Sequence, residues 1–143
     1  MNGPVDIEPV VDAASVDTLA RTMWGEARGE GVAGMSAVAN VVLNRLDMPE
    51  RFGATVEAVC RAPWQFSCWN RNDPNLAKLV AVTAADARFA SALRLARRAL
   101  AGALDDATFG STHYHARGIL PRWAHASAPA AEIGHHLFYN DVD

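Results

Sequence analysis

A chain of 143 residues, half of them apolar and a fifth charged, has the composition of one ordinary globular domain, and it is long enough to fold without a metal or disulfide staple. The formal charge of −3 excludes a nucleic-acid binder that relies on a basic face, although a local groove can still differ in sign from the whole. No apolar run approaches the ~20 residues of a membrane span; the smoothest stretch, Met35 to Leu43, is interrupted by Ser36 and Asn40.

In chain order, residues 1–16 carry acids and prolines but neither a basic start nor an apolar centre, so they do not read as a secretory leader. Residues 1–14 are expected to form a flexible arm ahead of a domain at 15–143. Ser15 or Asp17 can cap a first helix running toward Arg28, with Leu19, Ala20, Met23, Trp24 and Ala27 at helical spacing and a stop near Gly29. A second helix is predicted from about Val32 to Asp47, placing Met35, Val38, Val42 and Leu46 on one stripe, with Pro49 beyond its end. Residues 50–74 hold prolines, aromatics and Asn/Asp turn formers and read as an irregular loop or short strands. Asp73-Pro74 is the expected start of a third helix reaching about Val82. A fourth spans Asp86 to Ala101, burying Phe89, Leu93, Ala96 and Leu100 and stopping at Gly102. Short strands are expected near residues 108–115 and 136–139. The class is α+β, mainly α, with a minor β element. Cys60 and Cys68 allow either a local disulfide or two reduced thiols; two thiols alone do not make a zinc site.

The segment Trp24-Gly-Glu-Ala-Arg-Gly-Glu30 stands out chemically. In a continuing helix Glu26 and Glu30 would share a face, which a solvated helix end with Arg28 in ion pairs would also explain. Glu26, however, falls at the negative end of an apolar helix behind Met23 and Trp24. Both the helix dipole and burial disfavour a charged carboxyl there, as a general acid requires. Downstream, Trp64, Gln65, Phe66, Trp69 and Asn70 offer the aromatic faces and amides that bind sugars, with Gln65 the leading polar candidate. Tyr114 could bond Glu26 or a sugar acetamide. His113 and His115 would face the opposite side of a strand.

The run LARTMWGEARGE followed by VVLNR, then PWQFSCWN at 63–70, THYHARGILPRWA at 112–124 and IGHHLFYN at 133–140, resembles the SleB-type cell wall hydrolases in the same order. The resemblance covers about residues 17–140. It implies a lysozyme-like single domain, with residues 15–143 as a cell wall hydrolase catalytic domain. It also implies cleavage of peptidoglycan glycan strands between N-acetylmuramic acid and N-acetylglucosamine. The family's catalytic glutamate maps to Glu26 and its second to Glu30. The resemblance favours a lytic transglycosylase, in which one carboxylic acid suffices and anhydromuramyl ends form; a hydrolytic muramidase using Glu26 and Glu30 is the alternative. Trp64, Gln65, Phe66, Trp69, Asn70, Tyr114 and His115 are the expected substrate-binding residues. Neither a cofactor nor a metal is expected. A metallohydrolase built on His113, His115, His135 and His136 lacks an HExxH motif and a carboxylate at ligand spacing. A non-catalytic wall-binding module would make Glu26 incidental. The partner is the peptidoglycan strand, without nucleic acid or a membrane span. The absence of an apparent leader suits a phage or phage-like lysis enzyme (an endolysin), made in the cytoplasm and released to the wall through a separate holin-like protein.

Overall fold

The computed structural model describes residues 11–143, so ten of the fourteen residues expected in the N-terminal arm lie outside the described residues. The arm's predicted boundary moves: α1 spans Ala13–Ala27 and is capped by Asp12, whose carboxylate accepts from the Ala14 N–H at 3.3 Å. An aspartate with extended backbone at the positive helix end satisfies a free N–H directly, so the helix begins ahead of Ser15. Ser15 instead donates to Asp12 and Glu57.

α2 covers Gly31–Leu46 and is the central helix. Met35, Val38 and Val42 are buried as the stripe predicts, but so are Ala37, Ala39 and Val41, because α1 and α6 (Ala87–Leu100) pack on it and on each other. Asn40 is buried within this helix and donates to the Asp105 carbonyl. α6 is capped by Asp86, which accepts from the Phe89 N–H at 2.9 Å, and it buries Phe89 and Ala96 together with Ala92, Leu95 and Ala99.

Residues 50–74 are not strands. They form α3 (Pro49–Phe52), α4 (Val56–Arg61, capped by Thr55) and a 3-10 turn at Ser67–Trp69. Asp73-Pro74 does not open a helix either. Asp73 accepts from the Asn75 N–H at 2.8 Å, closing an Asx turn, and α5 begins at Leu76 and ends at Ala81. The C-terminal part makes a small antiparallel sheet of β1 (His113–Ala116), β2 (Ala131–Ile133) and β3 (His136–Tyr139) in the order β1-β3-β2. The first of the two expected strands is shorter than predicted, and β2 was unexpected: its three residues are too few for an alternating pattern. Phe138 pairs with Tyr114 on one side and Ala131 on the other, pressing the sheet on the helical core.

Of the two cysteine readings, the structure has free thiols. Burial pushes the Cys60 thiol up to about 12 and raises that of Cys68 as well. Among the described residues no helix is long and apolar enough to cross a membrane.

A candidate active site at the end of the first helix

Glu26 sits in the last turn of α1, half-buried. Its surroundings are less apolar than the sequence suggested. The Tyr114 hydroxyl donates to Oε1 at 2.6 Å, and the Cys68 backbone N–H donates to Oε2 at 3.3 Å. Burial, reinforced by the adjacent Glu26, raises Tyr114 well above the ordinary tyrosine value, so this phenol keeps its proton and acts as a donor. The ring of Tyr114 is held by Phe66, Phe138 and His136 at centroid distances of 6.4, 5.4 and 5.2 Å.

The close approach of the Ser67–Trp69 turn depends on Gly25. A Cβ at that position would stand 2.8 Å from the Cys68 Cβ and 2.9 Å from its sulfur. The missing side chain lets a backbone N–H reach the next residue's carboxylate. Trp69 fixes the same turn by donating from its indole to the buried Thr22 hydroxyl at 2.9 Å.

A cleft of about 350 Å³ opens onto Glu26 and is lined by Arg45, Trp64, Gln65, Tyr114 and Trp123, with Ser67 and His113 at its sides. Glu26 is the only carboxylate among these lining residues. Arg45 is the buried cation of the cleft. It donates to the Thr112 carbonyl at 2.8 Å and to Gln65 at 3.1 Å, and lies over the rings of Phe52 and Phe66. Burial pulls its guanidinium down from the ordinary arginine value. Trp64 stands with φ at 65°, in the left-handed region that is costly for a bulky residue, and its indole is 78% exposed.

The sequence candidates separate into distinct places. Trp64, Gln65 and Tyr114 meet Glu26 in the cleft. Phe66 does not: it is 1% exposed and belongs to the core, because the chain between Trp64 and Ser67 turns its side chain inward. Trp69 and Asn70 face a second cavity beyond Trp64. His115 is buried away from the cleft, bonded to the Tyr139 hydroxyl at 2.8 Å and stacked on its ring; the strand pleat turns it opposite Tyr114.

Glu30 does not line this cleft. The α-helix ends at Ala27 with φ −145° and ψ 19°, and Arg28–Glu30 tighten into a 3-10 turn, while both glutamates remain near enough to His136 to act on its charge. Glu30 instead accepts from the His135 N–H at 3.2 Å, anchoring the β2–β3 turn. Arg28 bonds the Trp24 carbonyl and Asn75, not Glu30. The histidines do not converge, and among the described residues no three of the His, Cys, Asp or Glu side chains gather as a metal site.

Arg45, Ser67, His113 and Trp123 were missing from the sequence-derived set of substrate-binding residues. A signal existed for Arg45: it is a charge falling seven residues after Val38, on the apolar stripe of α2. Trp123 is set by a 3-10 turn at Arg122–Ala124 and packs between His113 and Tyr139, a placement with no local pattern.

A family model described as Cell Wall Hydrolase matches residues 29–139, beginning three positions after Glu26. The spore cortex-lytic enzyme of Halalkalibacterium halodurans is 31% identical over 129 residues, covering 87% of this chain and 34% of that protein. The chain therefore spans about a third of the length of that relative. Among solved structures, the catalytic domain of the Bacillus cereus SleB protein superposes with a TM-score of 0.72 at 24% identity, covering 97% of this chain and 99% of the other. The catalytic domain of the germination-specific lytic transglycosylase SleB from Bacillus anthracis gives 0.71 at 24% identity, covering 93% and 99%. The expected lysozyme-like α+β fold is thus the one observed.

Proposed function

The chain belongs to the cell wall hydrolase family, and from that premise we propose that it cleaves peptidoglycan glycan strands between N-acetylmuramic acid and N-acetylglucosamine as a lytic transglycosylase. Residues 15–143 with the cap at Asp12 form the catalytic domain in this reading. The observation that carries it is that, among the described residues, Glu26 is the one carboxylate lining the cleft, while Glu30 is bonded to the β2–β3 turn. A two-carboxylate hydrolase needs its second carboxylate facing the same cleft across the sugar.

In the mechanism, Glu26 protonates the glycosidic oxygen as the C1–O bond breaks and positive charge grows on the muramic ring. Oε1 accepts from Tyr114 at 2.6 Å and Oε2 from the Cys68 N–H at 3.3 Å, so the carboxyl that transfers the proton is held at both oxygens. The resulting carboxylate stabilises the oxocarbenium-like centre. It then takes the proton of the C6 hydroxyl as O6 attacks C1, which closes the 1,6-anhydro ring and returns Glu26 to its starting form. Tyr114 is a positioning residue that holds the carboxyl in one rotamer. Trp64 and Trp123 supply faces for sugar rings, and Gln65 and Ser67 supply polar contacts. No cofactor enters. In this reading the wall substrate is met in the envelope.

The test is digestion of purified sacculi with the wild-type chain and Glu26→Gln, with fragments weighed by mass spectrometry. Wild type is expected to release muropeptides one water lighter than reducing-end products, and the variant none. Reducing ends instead would identify the hydrolytic muramidase, and cut peptide bonds would remove the glycosidase reading.

A further inference from the structure

A second cavity of about 510 Å³ is bordered by Trp64 but not by Glu26. Its walls are Arg61 from the end of α4, Trp69 and Asn70 from the 3-10 turn, Arg71, Asn72 and the indole of Trp64. Trp64 borders both this cavity and the Glu26 cleft, so the two spaces share one indole.

The charge of the second cavity differs from what a neutral sugar requires. Arg61 lies over the Trp69 ring at 4.7 Å, which holds its guanidinium plane in place and leaves the N–H edge free. Among the described residues neither Arg61 nor Arg71 pairs with a carboxylate. Two unneutralised guanidiniums beside indoles and two side-chain amides form a site for carboxylates carried on a short peptide backbone: the forks take the acids and the amides take the peptide groups. In a glycan strand bearing stems, the N-acetylated sugars are neutral and the acids are on the peptide stems.

We propose that this cavity binds the peptide stem of the substrate, with stem carboxylates on Arg61 and Arg71 and with Trp64 separating the stem from the sugars at the Glu26 cleft. The inference rests on the proposed peptidoglycan substrate. It makes the chain prefer stem-bearing strands over bare ones through contacts remote from the reacting bond.

The experiment compares tetrapeptide-bearing strands with strands stripped by an amidase, which keep a lactyl carboxylate on the sugar but lose the stem acids, using the full chain and the variants Arg61→Gln/Arg71→Gln and Arg61→Lys/Arg71→Lys. A free tetrapeptide stem is also titrated into each protein by NMR. Exposed pairs of this kind contribute up to roughly fivefold each, so the wild type should favour stem-bearing strands by about tenfold in kcat/KM. That preference should shrink in 0.5 M salt (a concentration chosen because screening is then short-ranged). The double Gln variant should bring the ratio near one while cleaving stripped strands within about twofold of wild type, and the double Lys variant should retain several-fold.

Equal preference in wild type and the Gln variant overturns the proposal. So does an equal loss on both substrates, which would make the cavity a further sugar subsite. The two readings fail separately. If no glycan fragments appear from either strand, yet the tetrapeptide titrates and the Gln variant abolishes it, the stem site stands and the glycosidase falls. If fragments appear but the tetrapeptide neither titrates nor speeds cleavage, the stem site falls alone.

Discussion

Gly25→Ala tests the geometry on which the site depends. In a helix interior this change ordinarily stabilises by about 1 kcal/mol, because alanine has the better helix propensity. Here the new methyl would meet the Cys68 Cβ at 2.8 Å, its sulfur at 2.9 Å and a Leu79 methyl at 3.0 Å. Leu79 is fully buried and Cys68 nearly so, so neither has free space to retreat into. Overpacking of this kind costs about 1–3 kcal/mol, leaving a net destabilisation of about 1 kcal/mol. For a chain of this size that lowers Tm by about 3 °C. Relief comes most easily by pushing the Ser67–Trp69 turn outward, which withdraws the Cys68 N–H from Glu26 and shifts Ser67 in the cleft. Displacement of a reacting group by ~1 Å can cost about a hundredfold, so kcat on sacculi should fall at least tenfold while Tm moves little. The double variant Gly25→Ala/Cys68→Gly, which removes the two nearest opposing atoms and leaves the Leu79 methyl, should recover part of the activity. The assay is fragment release from sacculi alongside thermal unfolding by circular dichroism. A Gly25→Ala protein more stable than wild type and fully active would refute the reasoning.

Tyr114→Phe keeps the ring contacts and removes the 2.6 Å bond to Glu26; a hydrogen bond to a charged group is worth about 1.5–3 kcal/mol, so kcat/KM should fall ten- to a hundredfold with Tm nearly unchanged. His113 is held down to about 4 by burial and by the Arg45 and Arg51 guanidiniums. The unfolded imidazole binds its proton near 6.5, so the unfolded state gains the proton first as pH falls. Stability is therefore full above about 6.5 and is lost through the window down to about 4. The difference of 6.5 − 4 corresponds to about 3.4 kcal/mol before screening and about 1.5 kcal/mol for a half-buried ring. Urea titrations at pH 7.5 and 4.5 should show that much more loss in wild type than in His113→Asn. Both thiols are buried and raised, so Cys60 and Cys68 should resist iodoacetamide in the native chain and react together in urea. Fast native labelling of either would contradict the packing described.

The helical frame could be read directly from the residues. The apolar spacing of Leu19, Ala20, Met23 and Trp24, the cap at Asp86 and the stop at Gly102 are local signals, and periodicity reports the buried face of a helix before any neighbour is known. Where local signals competed, the sequence misled: Asp73-Pro74 can open a helix or close a turn, and only the packing of α5 selects the turn. The site itself was decided by tertiary structure, because its partners are distant in the chain. Tyr114 reaches Glu26 across 88 positions, and Glu30, four positions from Glu26, is claimed by a backbone N–H 105 positions away. The aromatic segment at 63–70 offered aromatic faces and amides as candidates for a groove. Which of its side chains enter the core, the cleft or the second cavity depends on a left-handed residue at Trp64 and on the space left by Gly25. Spacing along a chain specifies which groups are available; only the fold, by bringing remote backbone against them, specifies which of them line the cleft.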